Sequence, residues 1–194
     1  MRKIHVFLMI SLDGYFEGPN HDISWHNVDH EFNEYAIEML REIGTMLYGR
    51  RTYQLMEEYW PKAEVDPKTA VDDRVVAKLM NETPKIAFSR SLKEVKEQEH
   101  WKNVQLRHSI DPDEIRKLKE QPGKDIWVGG SELATEFIKL GLVDEIRLSI
   151  NPVVIGKGAP LFQGLNKMLE LKLTRTRPFK SGNVLLYYDV ENSK

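Results

Sequence analysis

The sequence predicts an α/β fold: a single domain over residues 1–194, with a central mixed, mostly parallel sheet flanked by helices and antiparallel strands near the C-terminus. Three observations predict it. Short apolar runs alternate with helix-periodic segments along the first two thirds of the chain. One stretch, Asp125–Leu142, shows the unit directly: Ile126-Trp127-Val128 meets Gly129-Gly130, and Leu133, Phe137 and Leu140 follow at helical spacing. The last third is instead rich in β-branched and aromatic residues with partial alternation. No internal repeat, low-complexity tract or flexible linker interrupts the pattern.

Residues 3–11 read as a buried strand. Residues 29–43 read as a helix, with Phe32, Ala36, Met39, Leu40 and Ile43 on one face and Gly44 at its C′ position. Residues 45–49 form a short strand. A helix from Thr52 to about Tyr59 is expected to stop at Pro61. Val71, Val75, Leu79 and Met80 place another helix over 70–81. Residues 85–89 and 104–108 read as strands. Asp111 (N-cap), Pro112 and Glu114 spell a capping box, and Pro122-Gly123 ends that helix. The mixed charges of 93–102 read as a solvated face. Three strands are expected within 144–156, 169–179 and 183–190.

Composition narrows the function. The 28 basic and 30 acidic residues nearly cancel, at a net charge of −2, so no single-sign field favours nucleic acid or a membrane surface. No apolar run is long enough to span a bilayer. The N-terminal run is broken by His5 and lacks a small-residue cleavage site, so it reads as a strand and not a signal peptide. Cysteine is absent, which excludes disulfides and thiolate metal sites. A cytoplasmic protein is expected.

The chemistry is expected at strand ends. A helix start exposes unpaired N–H groups and partial positive charge, and glycine lets an anion reach them. Gly129-Gly130 followed by Ser131 offers such a cradle, or else a tight turn that only avoids a clash. A dinucleotide G-x-G-x-x-G is absent. Gly156-Lys157-Gly158 reads as a turn. Gly49, Arg50, Arg51 and Thr52 form a second junction, and Ser89, Arg90 and Ser91 a third. A ligand carrying two or three phosphate groups would explain all three together.

The segments ISLDGYFEG, YGRRTY, FSRSL and VGGSELATEFIKLGLVDEIRLSINPVVIGKGAPLF, in this order, resemble the dihydrofolate-reductase-like superfamily. The closer resemblance is to its branch related to the reductase domain of the riboflavin-pathway deaminase-reductase. It spans about residues 3–190, and Val128–Phe162 is its most specific block. It implies NADPH as hydride donor and a homodimer. It implies Gly129, Gly130, Ser131, Glu132 and Leu133 as cofactor contacts, with a cis peptide at Gly-Gly. It matches Gly49, Arg50, Arg51 and Thr52 to the phosphates, and Ser89 and Arg90 to the adenosine 2′-phosphate. It sets Ile10, Ser11, Asp13 and the loop Gly14–Gly18 beside the nicotinamide. Two departures leave the substrate open: Val128 stands where these reductases usually have Glu, and no deaminase zinc motif precedes the block.

The expected reaction is hydride transfer to a C=N or C=O of a small pterin- or pyrimidine-like heterocycle. Asp29 is the first candidate proton donor and Asp13 the second. The competing roles are a helix N-cap for Asp29 and a turn for Asp13. Trp25 and Phe16, with Tyr15, are candidates for an aromatic wall on the substrate, or else core. His26 and His30 lie four apart, but no third ligand accompanies them and no metal is expected. A nucleotide-binding protein without turnover and a structural dimerisation module are the alternatives.

Overall fold

A computed structural model describes residues 1–191. The strands are β1 (Ile4–Ser11), β2 (Tyr15–Glu17), β3 (Ile43–Gly49), β4 (Lys85–Phe88), β5 (Val104–Arg107), β6 (Asp125–Gly129), β7 (Glu145–Asn151), β8 (Ala159–Pro160), β9 (Glu170–Pro178) and β10 (Val184–Glu191). The helices are α1 (His30–Arg41), α2 (Arg50–Val65), α3 (Val71–Glu82), α4 (Pro112–Glu120) and α5 (Ser131–Lys139). Eight strands make one sheet in the order β5-β4-β3-β6-β1-β7-β10-β9. The first six run parallel; β10 is antiparallel to both β7 and β9. β2 and β8 form a separate two-stranded ribbon. The expected α/β fold with antiparallel strands near the C-terminus is the one observed.

Side-chain alternation explains the layers. Ile4, Val6, Leu8 and Ile10 of β1 face one way and pack with Leu133 and Phe137 of α5 and Ile115 of α4. Phe7 and Met9 face the other way and pack with Phe32, Tyr35 and Met39 of α1, Tyr53 of α2 and Met80 of α3. Every residue of β1 is buried. This is why Val6–Ile10 is a continuous apolar run rather than an alternating one, as covered parallel strands are.

Several expectations fail at boundaries. Gly44 is not a helix C′ residue but lies inside β3, which begins at Ile43. A Cβ there would sit 3.1 Å from the Lys124 carbonyl oxygen, so glycine serves a close approach of two chain segments. Helix α2 does not stop at Pro61: it begins at Arg50 and contains the proline. Asn81 of α3 braces this turn, donating to the Trp60 carbonyl (3.2 Å) and to Glu64 (2.6 Å). Asp111 does cap α4, accepting from the N–H groups of Asp113 and Glu114. The reciprocal half of the capping box is missing, because the Glu114 carboxylate accepts from Arg107 at 2.8 Å. The segment 93–102 is not wholly a solvated face. Trp101 is fully buried, with the Lys85 ammonium 4.3 Å from its ring centroid.

Candidate functional site

Parallel pairing brings the carboxyl ends of the strands to one edge. Gly49 is in register with Phe88, Tyr48 with Gly129, and Ser11 with Asn151. The three junctions singled out in the sequence therefore lie side by side, in the order β4, β3, β6, with the end of β1 next. Open α/β sheets bind their ligands at such an edge.

The glycine pair has a packing reason. Gly130 adopts φ +92°, a conformation that favours glycine, and a Cβ on it would overlap the Thr52 hydroxyl. A Cβ on Gly129 would fall 2.7 Å from the Tyr48 ring. The β6–α5 turn is thus pressed against the β3–α2 turn. Gly49 is different: its φ is −69°, and a Cβ would meet only Leu133, at an ordinary 3.8 Å. The cis peptide implied for Gly-Gly is not found; every described peptide bond is trans, and the positive φ of Gly130 makes the turn instead.

Glycine N-caps leave both helix starts without a side-chain cap. Neither Gly49 on α2 nor Gly130 on α5 can supply one, whereas α1 and α4 are each capped by an aspartate. Two adjacent helix N-termini without side-chain caps leave N–H groups and partial positive charge that could hold an anion. Arg50 and Arg51 are exposed beside them. Arg51 reaches Glu132 across the two helix starts (3.6 Å) and contacts His21, which pairs in turn with Glu17 (2.7 Å). Ser131 is half-buried. Leu133 is buried against the core, so its backbone N–H is the part that a ligand would meet.

At the end of β4, Ser89 is buried and Arg90 exposed. The Ser89 hydroxyl accepts from the N–H groups of Ser91 (3.2 Å) and Leu92 (3.0 Å), closing the turn. At the end of β1, the buried Ser11 hydroxyl accepts from the Tyr15 N–H at 3.0 Å. Asp13 accepts from Gly156 (2.8 Å) and Ile155 (3.3 Å). The Ser11 hydroxyl and these two N–H groups hold the Asp13 carboxyl below the usual range, so at neutral pH it is a carboxylate tying two loops. Asp29 caps α1, accepting from the Phe32 N–H at 2.8 Å.

Trp25 is half-buried, donates to the Asp22 carbonyl and meets His26 edge-on. Phe16 packs against the α5-side core, beside an apolar hollow of about 340 Å³ lined by Ile10, Gly14 and Pro160–Gln163. Phe16 sits on β2 and Trp25 on the loop before α1. A second hollow, of about 390 Å³, runs beneath α4 along β4 and β5. His26 and His30 share no helix face, because His26 precedes the α1 cap. His30 instead lies 2.5 Å from Asp72. No group of three or more His, Asp or Glu placed to hold a metal occurs among the described residues.

Sequence reasoning passed over three asparagines. Asn27 donates its N–H to Asn151 (2.8 Å), and its side-chain amide to the Ser181 carbonyl. Its carbonyl accepts from Asn183 (2.7 Å). Asn151 and Asn183 are fully buried, and together they pin the loop bearing Trp25 and Asp29 to the ends of β1 and β7. Asparagine in a loop ordinarily signals a turn, so nothing in the sequence separates this role. His21 and His108 were likewise missed.

The strand order and directions, with helices on both faces, define an α/β protein of the dihydrofolate-reductase-like fold. The chain belongs to the RibD C-terminal domain family, whose sequence profile matches residues 2–185. It is 42% identical over 188 residues to the uncharacterized protein YyaP of Bacillus subtilis (strain 168), covering 96% of this chain and 94% of the relative. Its fold matches a pyrimidine reductase-like protein from Corynebacterium diphtheriae, with TM-score 0.67, 18% identity, and 99% and 93% of the two chains covered. It also matches dihydrofolate reductase from Enterococcus faecalis complexed with NADP(H), with TM-score 0.63, 14% identity, and 98% and 97% covered. No helix among the described residues is long and apolar enough to cross a membrane.

Proposed function

We propose that this protein is an NADPH-dependent reductase acting on a small pterin- or pyrimidine-like heterocycle, as a cytoplasmic homodimer. One observation carries the reading: two helix N-termini without side-chain caps, at Gly49 and Gly130, lie together at the carboxyl edge of a parallel sheet. A pyrophosphate fits such a pair, since the open N–H groups, Arg50 and Arg51 all present positive charge to one place. Family membership and the fold shared with an NADP(H)-bound reductase support it.

NADPH, when bound, supplies the hydride. The chain's own part is to bind and orient. Gly49–Thr52 and Gly129–Leu133 would hold the pyrophosphate, and Ser89 and Arg90 mark the adenosine end. Ser11 and the Gly14–Gly18 loop would border the nicotinamide. Trp25, from the loop before α1, and Phe16, from β2, would flank the substrate ring. Asp29 remains the first candidate to hold or pass the proton, ahead of Asp13, whose carboxylate is already engaged. A second reading, nucleotide binding without turnover, draws on the same fact: both candidate acids accept hydrogen bonds that serve the fold.

The test is a titration with NADPH and with NADH, followed by tryptophan fluorescence. Micromolar NADPH binding, about −8 kcal/mol, with NADH much weaker and Arg50→Ala and Arg51→Ala both impaired, is the expected result. Absence of binding by either nucleotide refutes the reductase reading. Binding without oxidation of NADPH across a panel of pterins and pyrimidines selects the second reading.

A further inference from the structure

The hollow beneath α4 runs along the strands rather than across their carboxyl edge. Its volume of about 390 Å³ falls in the range of small-molecule sites. Its middle is apolar, with Ile86 and Phe88 of β4 on one side and Ile115 and Leu118 of α4 on the other. Helix α4 lies antiparallel to the strands. Glu114, in its first turn, meets Arg107 at the end of β5, while the Lys119 carbonyl, in its last, accepts from the Arg2 N–H ahead of β1. The two ends of the hollow therefore differ. At one, Arg107 and Glu114 neutralise each other at 2.8 Å. At the other, near the starts of β3 and β4, stand Thr45, Lys117 and Gln121.

This second end carries positive charge that the fold leaves unmatched. On α4, Arg116 pairs with Asp113 and Lys119 with Asp144, whereas Lys117 has no ionic partner among the described residues. Next to Thr45 lies the buried Arg2 guanidinium, whose Nη2 donates to the Thr45 hydroxyl at 2.6 Å and whose Nε donates to the Lys124 carbonyl at 2.5 Å. No carboxylate among the described residues reaches Arg2 at ion-pair distance, although buried charges are ordinarily paired. Glycine at position 44 keeps this slot open, since a Cβ there would come 3.3 Å from Nη2. The Thr45 hydroxyl accepts from Arg2 and has no acceptor for its own proton among the described residues, so it can donate into the hollow. We propose that the hollow beneath α4 binds a small carboxylic acid with an apolar body. The carboxylate accepts from the Thr45 hydroxyl and the Lys117 ammonium, one hydrogen bond removed from Arg2, and the body lies between α4 and β4. Charge complementarity selects this class: a neutral analogue forgoes the charge-assisted bonds, and a cation meets Lys117 and Arg2 with the same sign.

The experiment is a titration of the full chain with hydrocinnamate and with hydrocinnamide, followed by backbone amide NMR at about pH 7, where only the acid is charged. The two probes share one shape and differ in the charge. Hydrocinnamate is expected to shift the signals of Thr45, Ile86 and Ile115–Gln121 saturably, and hydrocinnamide to bind about tenfold more weakly. Lys117→Gln should weaken the acid by about threefold and leave the amide unchanged. Leu118→Trp fills the hollow and should abolish the binding of both. Lys117 is exposed, so its variant keeps the fold and still decides the matter if the tryptophan variant does not fold. Equal affinity for acid and amide, or acid binding untouched by Lys117→Gln, would overturn the assignment of a carboxylate. Absence of saturable shifts at these residues, or shifts confined to Gly49–Thr52 and Gly130–Leu133, would overturn the site. None of these outcomes bears on the nucleotide reading, which the NADPH titration tests by itself.

Discussion

Gly130 and Gly49 occupy equivalent N-cap positions, yet only one is bound to be glycine. At Gly130 an alanine must hold φ near +92° and displace the Thr52 hydroxyl. Gly130→Ala is expected to cost about 1–3 kcal/mol, read as a shift of the urea midpoint at unchanged slope. Adding Thr52→Ala should recover part of the loss, because the two changes share one contact. Gly49→Ala should be nearly neutral for stability, so any fall in nucleotide affinity there reports on the ligand directly. The sequence raised both glycines as anion cradles. It could not show that one of them is also a packing requirement, since the clashing partner lies on another strand–helix unit.

Histidines make a second residue-scale prediction. Burial lowers the His26 pKa to about 4, against a smaller opposing pull from Asp22. His5, buried in the sheet with both ring nitrogens unpartnered, is pushed well below its ordinary value by burial and by Arg147. In both cases the unfolded chain binds the proton more readily, so stability is full above about pH 6.5 and falls as pH drops toward 4. His30 works in the opposite sense. Asp72 and Glu34 raise its pKa, so its contribution is present at low pH and lost as pH rises through the folded value. It is exposed and therefore weak. The net expectation is loss of stability on acidification from pH 7 to 5, and a shallower loss in His26→Gln, measured by urea melts across that range.

At the scale of elements, the start of α1 is where stability and chemistry share a residue. Asp29 caps the helix through the Phe32 N–H. Asp29→Ala should cost about 1 kcal/mol. Asp29→Ser keeps an oxygen at the cap and should melt like the parent, while turnover falls about a hundredfold if the carboxyl handles the proton. Turnover unchanged in the serine variant would reduce Asp29 to a cap. The helices and long strands were legible from apolar spacing, because α1, α3 and α5 each bury one stripe. The endings were less so. Pro61 promised a stop, but the brace from Asn81 belongs to α3. Glu114 promised a capping box, but Arg107 on β5 was the closer partner. The β2–β8 ribbon was missed altogether, since strands of three and two residues carry no period to read.

For the molecule as a whole, the antiparallel end of the sheet bears on assembly. β9 is an edge strand, largely exposed, carrying Leu173 at 50% exposure among charged neighbours. The proposed homodimer predicts that light scattering at micromolar concentration returns twice the mass of one chain. A single-chain mass at that concentration would leave each nucleotide site to stand on one chain's residues.

What the sequence determined by itself is what local physics controls: the order of strands and helices, the parallel character implied by continuous apolar runs, the aspartate caps, and the residue types at each strand end. Tertiary structure decided which of those ends stand together. Hydrogen-bonded register set Gly49 beside Phe88 and Tyr48 beside Gly129, turning three separate motifs into one edge. It also decided that His108 comes to the Ser89 carbonyl, and that three asparagines clamp one loop. Those are contacts between residues up to 156 positions apart in the chain. No local propensity encodes them, because the free energy that selects each partner arises only when the sheet has formed and the competing water has gone.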